Sequence, residues 1–212
     1  VLNVSRSILG QPWRWRGMAA GTGDPGFRPD DLVGQLLQLS RLDPKAYALR
    51  LERVALHELA RSAVELFSLR AEHERIDLGA DVRQEAWVEA DRAQLYILLN
   101  NLVENALRYT PGGEGSVVDV RVDLREGRPL LCVADNGPGI PAPERERVFD
   151  RFYRGENTQA SEGGSVGSGL GLAIVKAIAD RHEAVVKLED GPSGQGLMVC
   201  VEFAAGLSPA SA

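Results

Sequence analysis

Between residues 91 and 124 the hydrophobic period changes from that of a helix to that of a strand across one proline, and few architectures accommodate the change. In DRAQLYILLNNLVENALRYTP, Leu95, Leu98, Leu99, Leu102 and Ala106 recur at helical spacing until Pro111, whose ring and missing N–H end the helix. SVVDVRVDL then sets Val118, Val120, Val122 and Leu124 against Asp119, Arg121 and Asp123, the alternation of a strand with one buried face. PLLCVAD supplies a neighbour to it. Upstream, the pattern predicts an amphipathic helix from about Arg53 to Glu72, with short strands at RIDLGA and AWVEA around a turn. Downstream, AIVKAI has helical spacing, and AVVKLED and GLMVCVEF flank the hairpin-turn composition GPSGQG. Helices and strands mix without regular βαβ alternation, which predicts an α+β fold: a two-layer α/β sandwich on a mixed, mostly antiparallel sheet.

With 24 basic and 30 acidic residues, a net charge of -6, the chain is a poor match for nucleic acid as its main partner. No apolar run approaches the ~20 residues that cross a bilayer. The N-terminal VLNVSRSILG has neither the basic start nor the long apolar region of a signal peptide. Cys132 and Cys200 lie in strand-like runs and form no CxxC pair, so they read as buried reduced thiols of a cytosolic protein rather than a disulfide or a zinc site. Residues 1–30, with the WRWR cluster Trp13 to Arg16, have no periodicity and stand as an unassigned segment or linker. Over residues 31–45, Leu32, Val33, Leu36, Leu37 and Leu39 form an apolar helical stripe that Pro44 ends.

Four stretches carry candidate chemistry. In GSGLGL, Gly167, Gly169 and Gly171 alternate directly ahead of a helix, where unpaired amides and the positive dipole end accept a phosphate closely. A P-loop is disfavoured because Gly169 is followed by Leu170. A dinucleotide fold is disfavoured because the preceding RGENTQASEGGSV is polar and not a strand. On the central helix Asn101, Asn105 and Arg108 fall at i, i+4 and i+7, facing away from the leucines. They form either a solvated stripe or a site in which the Asn105 carbonyl is a hard-oxygen ligand for Mg²⁺. In DNGPGI, Asp135 ends a strand; it either caps a turn or accepts a hydrogen bond from the exocyclic amine of adenine, with Gly137 and Gly139 admitting the base. In RVFDRFYRG, Phe149 and Phe152 either pack conventionally or anchor a lid, while Arg151 and Arg154 face water or phosphates.

Taken together, NLVENALRYT resembles the N box, DNGPGI the first glycine box, RVFDRFYR the F box and GSGLGL the second glycine box of the ATP-binding domain of sensor histidine kinases, in the GHKL superfamily. The four stand in the family's order and cover about residues 50 to 205; the wording of the stretches is similar to the quorum-sensing branch. LVGQLLQLSRLDP resembles the end of a dimerisation and phosphotransfer helix. The resemblance implies a Bergerat-type fold with helices on one face, organised as residues 1–30, a helix remnant at 31–45, an ATP-binding domain at 46–206 and a tail at 207–212. It implies Mg²⁺ on Asn105, the adenine amine on Asp135, and a base pocket at Gly137, Gly139 and Ile140. Arg108, where the family often has Lys, would approach phosphate, with Tyr109 beside the nucleotide. Gly167, Ser168, Gly169, Leu170, Gly171 and Leu172 would hold the triphosphate, Arg151 and Arg154 would reach it, and residues 154 to 166 would form the lid. Asn101, Asn105, Arg108 and Arg151 are the implied catalytic set.

Water-attacking members of the superfamily carry a Glu four residues before the magnesium Asn as general base. Asn101 stands there instead, so transfer to a protein nucleophile is expected over rapid hydrolysis, with a clamp-type ATPase or a non-catalytic nucleotide-sensing module as the alternatives. Glu104 precedes Asn105 directly and points about a hundred degrees away from it on the helix, so it is not taken as a base. Of the three histidines, His57 in LHELARS lacks the following Pro of an acceptor motif and lies downstream of the dimerisation helix; it is expected to be a partly exposed decoy. The acceptor is therefore expected on a helix outside this chain. Glu183, where relatives commonly have Gly, is expected to alter the turn after the last helix. Expected partners are the protein's own dimerisation helices and a response regulator, in a homodimer whose full-length form sits in the bacterial inner membrane with this domain cytoplasmic.

Overall fold

The computed structural model describes residues 48–155, 168–192 and 194–204. The WRWR cluster, the helical stripe at 31–45, Gly167 and nearly all of the expected lid lie outside them. Strand β1 (Glu52–Ala55) runs straight into helix α1 (Leu56–Glu74); β2 (Asp77–Val82) and β3 (Trp87–Ala90) lead to α2 (Arg92–Tyr109). Then come β4 (Val117–Arg125), β5 (Arg128–Asp135), two single 3₁₀ turns, α3 (Gly171–Arg181), β6 (Val185–Asp190) and β7 (Leu197–Glu202).

The predicted central helix is α2. Asp91 caps it, its Oδ1 accepting from the Gln94 amide at 3.1 Å, and Thr110 leaves helical geometry just before Pro111. Five strands form one sheet in the order β2-β4-β5-β7-β6, with β2 parallel to β4 and the remaining pairs antiparallel; β1 and β3 form a separate antiparallel pair. Val118, Val120 and Val122 of β4, Leu131 and Val133 of β5, and Val199 and Val201 of β7 face the helices. There they meet Leu95, Leu98, Leu99 and Leu102 of α2 and Ile174, Val175 and Ile178 of α3 in one core. Each such aliphatic contributes about 1.5–3 kcal/mol on burial. The expected sandwich, with its helices on one face, is the observed one.

Several local expectations change. Residues 53–55 are strand, because Arg53, Val54 and Ala55 pair with Glu89, Val88 and Trp87, and α1 begins only at Leu56. RIDLGA and AWVEA yield two strands that do not pair with each other: β2 joins the main sheet and β3 joins β1. His57 is buried, 6% exposed, with Trp87 edge-on at 5.0 Å between ring centroids. The β1–β3 pairing brings that indole over the first turn of α1, which a helix-only reading of residues 53–72 could not show.

Cys132 and Cys200 form a disulfide, not a pair of thiols. They are directly opposed on antiparallel β5 and β7, with Cα atoms 4.1 Å apart on the sheet face away from the helices. Register across 68 residues decides that, and local composition carries no trace of it.

His182, just past α3, ties the end of α3 to the start of α2. Its Nε2 accepts from the Asp91 amide at 3.0 Å and its Nδ1 lies 2.8 Å from the Ile178 carbonyl, an arrangement that requires the neutral ring with the proton on Nδ1. Burial accordingly lowers its pKa below the ordinary histidine value. Glu183 takes the left-handed conformation, φ 54°, at the turn after α3. Among the described residues no helix is long and apolar enough to cross a membrane.

Candidate nucleotide-binding site

Asp135 closes β5 and is buried. Its Oδ1 accepts from the Gly137 amide at 2.9 Å and the Leu197 amide at 3.3 Å, leaving Oδ2 for a ligand. Burial pushes its pKa above the ordinary Asp value, and the two backbone amides pull part of the way back. The turn between β6 and β7 presses against this corner: a Cβ on Gly196, φ 85°, would strike the Asp135 carbonyl and come 2.7 Å from the Asn136 Cα. A Cβ on Gly139, φ 71°, would lie 2.7 Å from the Gly196 carbonyl oxygen. Sequence reasoning read this turn only as a hairpin; its glycine-rich composition was the one available signal that it also supports Asp135.

The other stretches join this corner through close backbone approaches. A Cβ on Gly137 would lie 2.7 Å from the Tyr109 carbonyl oxygen, which brings the Asp135 corner against the end of α2. A Cβ on Gly171, the first residue of α3, would lie 2.9 Å from Asn105 Nδ2, 3.1 Å from Asn105 Oδ1 and 3.4 Å from Asn101 Oδ1. A Cβ on Gly169, φ 71°, would lie 2.8 Å from Phe152 C and Tyr153 O, and the Phe152 amide donates to the Gly169 carbonyl at 2.9 Å. The motifs, dispersed along the chain, therefore form one chain of contacts with the glycines at its joints.

The polar stripe on α2 is not a solvated face. Asn101 is buried, its Nδ2 donating to the Ile97 carbonyl at 2.8 Å. Arg108 donates from Nη2 to Glu104 Oε1 at 2.8 Å, a pairing the sequence reading did not anticipate although the i, i+4 spacing signals it. Tyr109 is exposed at the end of α2. Leu170 is fully buried in the core, so only its backbone faces the site; its amide donates to Ser168 Oγ at 3.2 Å, and Leu172 packs at the edge of the core.

In the F-box stretch Phe149 is half-buried in a 3₁₀ turn, while Arg151, Phe152 and Arg154 are exposed. Phe152 takes φ 65°, unusual for a bulky residue, at the point where its amide meets Gly169. Tyr153 bonds Glu144 through its hydroxyl at 3.3 Å and lies beneath the Arg147 guanidinium, 4.6 Å from the ring centroid. Arg145 reaches the Ile140 carbonyl at 3.0 Å and pairs with Asp190, closing the far side of the Asp135 corner.

The arrangement provides a buried carboxylate oxygen for an amine, a carboxamide beside a glycine-opened helix start, and a partly buried guanidinium one turn further along. That set suits a purine nucleotide with a polyphosphate tail.

The model of the family "Histidine kinase-, DNA gyrase B-, and HSP90-like ATPase" matches residues 90–206. The chain is 38% identical over 174 residues to the sensor protein kinase PmrB of Pseudomonas aeruginosa, covering 82% of this chain and 35% of that protein. Among solved structures it is similar to full-length ShkA in complex with AMPPNP, with TM-score 0.70 and 30% identity over 85% of this chain and 36% of that one. It is also similar to the catalytic domain of histidine kinase ThkA, with TM-score 0.62 and 28% identity over 74% and 96% of the two chains. The chain thus spans about a third of the curated relative's length.

Proposed function

The chain belongs to the histidine kinase-, DNA gyrase B- and HSP90-like ATPase family, and we propose that it is the ATP-binding catalytic domain of a two-component sensor histidine kinase. It transfers the γ-phosphoryl group of ATP to a histidine on a dimerisation helix. The observation that carries this reading is Asn101. At the position where a water-activating carboxylate would stand, this chain has an amide, buried and bonded to its own helix, beside Asn105 and Gly171. An amide cannot take a proton from water, so the site can hold and polarise a triphosphate without hydrolysing it rapidly.

In this reading Asp135 Oδ2 accepts from the adenine amine, which discriminates against guanine, whose carbonyl would face the carboxylate. The amides at the start of α3, apart from that of Leu170, which Ser168 holds, receive the phosphates, and Arg108 neutralises charge on them. Arg151 and Arg154, both exposed, are proposed to reach the phosphates. The residues present fit Mg²⁺ as a companion of the nucleotide: Asn105 offers one hard carbonyl oxygen, and no group of three His, Cys, Asp or Glu able to hold a metal occurs among the described residues. When bound, the ion would neutralise phosphate charge. Catalysis is then positioning and electrostatics.

We assign residues 46–206 to this domain, 31–45 to the end of a dimerisation helix, and 1–30 and 207–212 to flanking segments. Full length, the protein acts as a homodimer anchored in the inner membrane, with this domain in the cytoplasm and a response regulator as the next phosphate acceptor. The test is incubation of the chain with γ-labelled Mg-ATP and an added dimerisation and phosphotransfer helix pair. Label on the acceptor histidine with little free phosphate is expected. Rapid phosphate release would instead favour a clamp-type ATPase, and label on His57 would overturn the assignment of the acceptor.

A further inference from the structure

We propose that Glu104 is a positioning residue for nucleotide: through Arg108 it fixes which edge of the guanidinium faces the phosphate path. The inference rests on the reading of this site as an ATP site. Arg108 donates from Nη2 to Glu104 Oε1 at 2.8 Å, one turn back on α2. Its side chain is only 19% exposed and that of Glu104 35%, so the pair is less screened than an ordinary surface pair. Arg108 Nε, in contrast, is buried and has no hydrogen-bond partner.

A guanidinium offers two kinds of donor edge, and a buried donor left unpaired is costly. Here Nη2 is committed to Glu104 while Nε stays open. Arg108 follows Asn105 by three residues, so both project from the same side of α2, the side on which Gly171 meets Asn105. A ligand oxygen entering between them would satisfy the open donor.

Arginine has many rotamers, and ordering one during the reaction would be entropically unfavourable. The Glu104 carboxylate removes that freedom before nucleotide arrives, and Arg108 in turn neutralises a negative charge that would otherwise repel phosphate. Glu104 therefore acts one residue away from Asn105 without facing the reacting atoms, consistent with its direction on the helix.

The test uses Glu104→Ala, Glu104→Gln, Arg108→Ala and the double variant Glu104→Ala/Arg108→Ala in the full chain. It reads Mg-ATP affinity by calorimetry, transfer rate to an added acceptor helix pair at saturating ATP, and the urea midpoint. Glu104→Ala is expected to slow transfer about tenfold while shifting Mg-ATP affinity less than about threefold. Glu104→Gln, which keeps a carbonyl acceptor for Nη2, is expected to stay within about threefold of the parent rate. In the Arg108→Ala background Glu104→Ala is expected to cause no further loss, and a partial recovery as the unpaired carboxylate is removed. Additive effects of the two substitutions, or a normal rate for Glu104→Ala beside an impaired Arg108→Ala, would overturn the proposal alone. A shared fall in urea midpoint that accounts for the loss equally in Glu104→Ala and Glu104→Gln would do the same. Binding and transfer unchanged in Arg108→Ala would overturn it together with the phosphate role of Arg108.

Discussion

Both backbone amides that hold Asp135 go to one carboxylate oxygen, and under the proposed function this division of labour leaves the other oxygen for the adenine amine. Asparagine could keep those two bonds through its Oδ1, but its NH₂ would then face the adenine amine, donor against donor. Asp135→Asn is therefore expected to fold normally by circular dichroism. It should lose Mg-ATP affinity by about 10- to 100-fold, the cost of about 1–3 kcal/mol for an unsatisfied pair. Calorimetry measures the loss, and an affinity within twofold of the parent would remove Asp135 from the base pocket. Because burial raises its pKa, the parent carboxylate takes up a proton at a higher pH than an ordinary Asp does. Protonation destroys an acceptor, so the affinity difference between the parent and Asp135→Asn should shrink as the pH is lowered.

The first residue of α3 decides a different question. Alanine is the better helix former by about 0.8–1.0 kcal/mol, so propensity alone favours Gly171→Ala. The added methyl, however, would sit 2.9 Å from Asn105 Nδ2 and 3.1 Å from its Oδ1. The amide proposed as the metal ligand must move, because the helix behind Gly171 is fixed by Ile174 and Ile178 in the core. The expected outcome is that Mg-ATP no longer raises the thermal midpoint of Gly171→Ala by a measurable amount, with affinity at least tenfold weaker. A parent-like ligand-induced shift would mean that the α2–α3 contact has no bearing on binding. Gly169 serves the neighbouring joint, carrying the chain past Phe152 and Tyr153 where any side chain would collide. Gly169 and Gly171, which the resemblance assigns to phosphate, are therefore also required by packing.

At the scale of the molecule, the disulfide between Cys132 and Cys200 couples the two central strands at whose ends Asp135 and Leu197 meet. It closes a loop across a separation of 68 residues, which includes both 3₁₀ turns and α3. Constraining a loop of that size in the unfolded chain stabilises the fold by about 2–4 kcal/mol. Urea unfolding with and without reductant should show that difference as a lower midpoint for the reduced protein. Cys132→Ala/Cys200→Ala should respond to neither condition, and equal midpoints for the parent in both would show that the bond contributes nothing. His182 ties α3 to the cap of α2 in the helical layer, so the covalent and the hydrogen-bonded ties lie on different faces of the sheet.

The sequence alone was sufficient for whatever depends on a residue and its near neighbours. The leucine spacing up to Pro111 located α2, the valine alternation located β4 and its buried face, and the Asn, Asp and Gly types at the four motifs carried the resemblance on which the proposed chemistry rests. Periodicity and a proline stop are local properties, legible without coordinates. Tertiary structure decided whatever depends on which distant residues oppose one another: the separation of β2 from β3, the burial of His57 beneath Trp87, and the pairing of Cys132 with Cys200. It likewise brought the Leu197 amide to Asp135 and Gly171 to Asn105. Strand register and helix contact are set by the shape of the whole core, and no stretch of sequence read in isolation contains that shape.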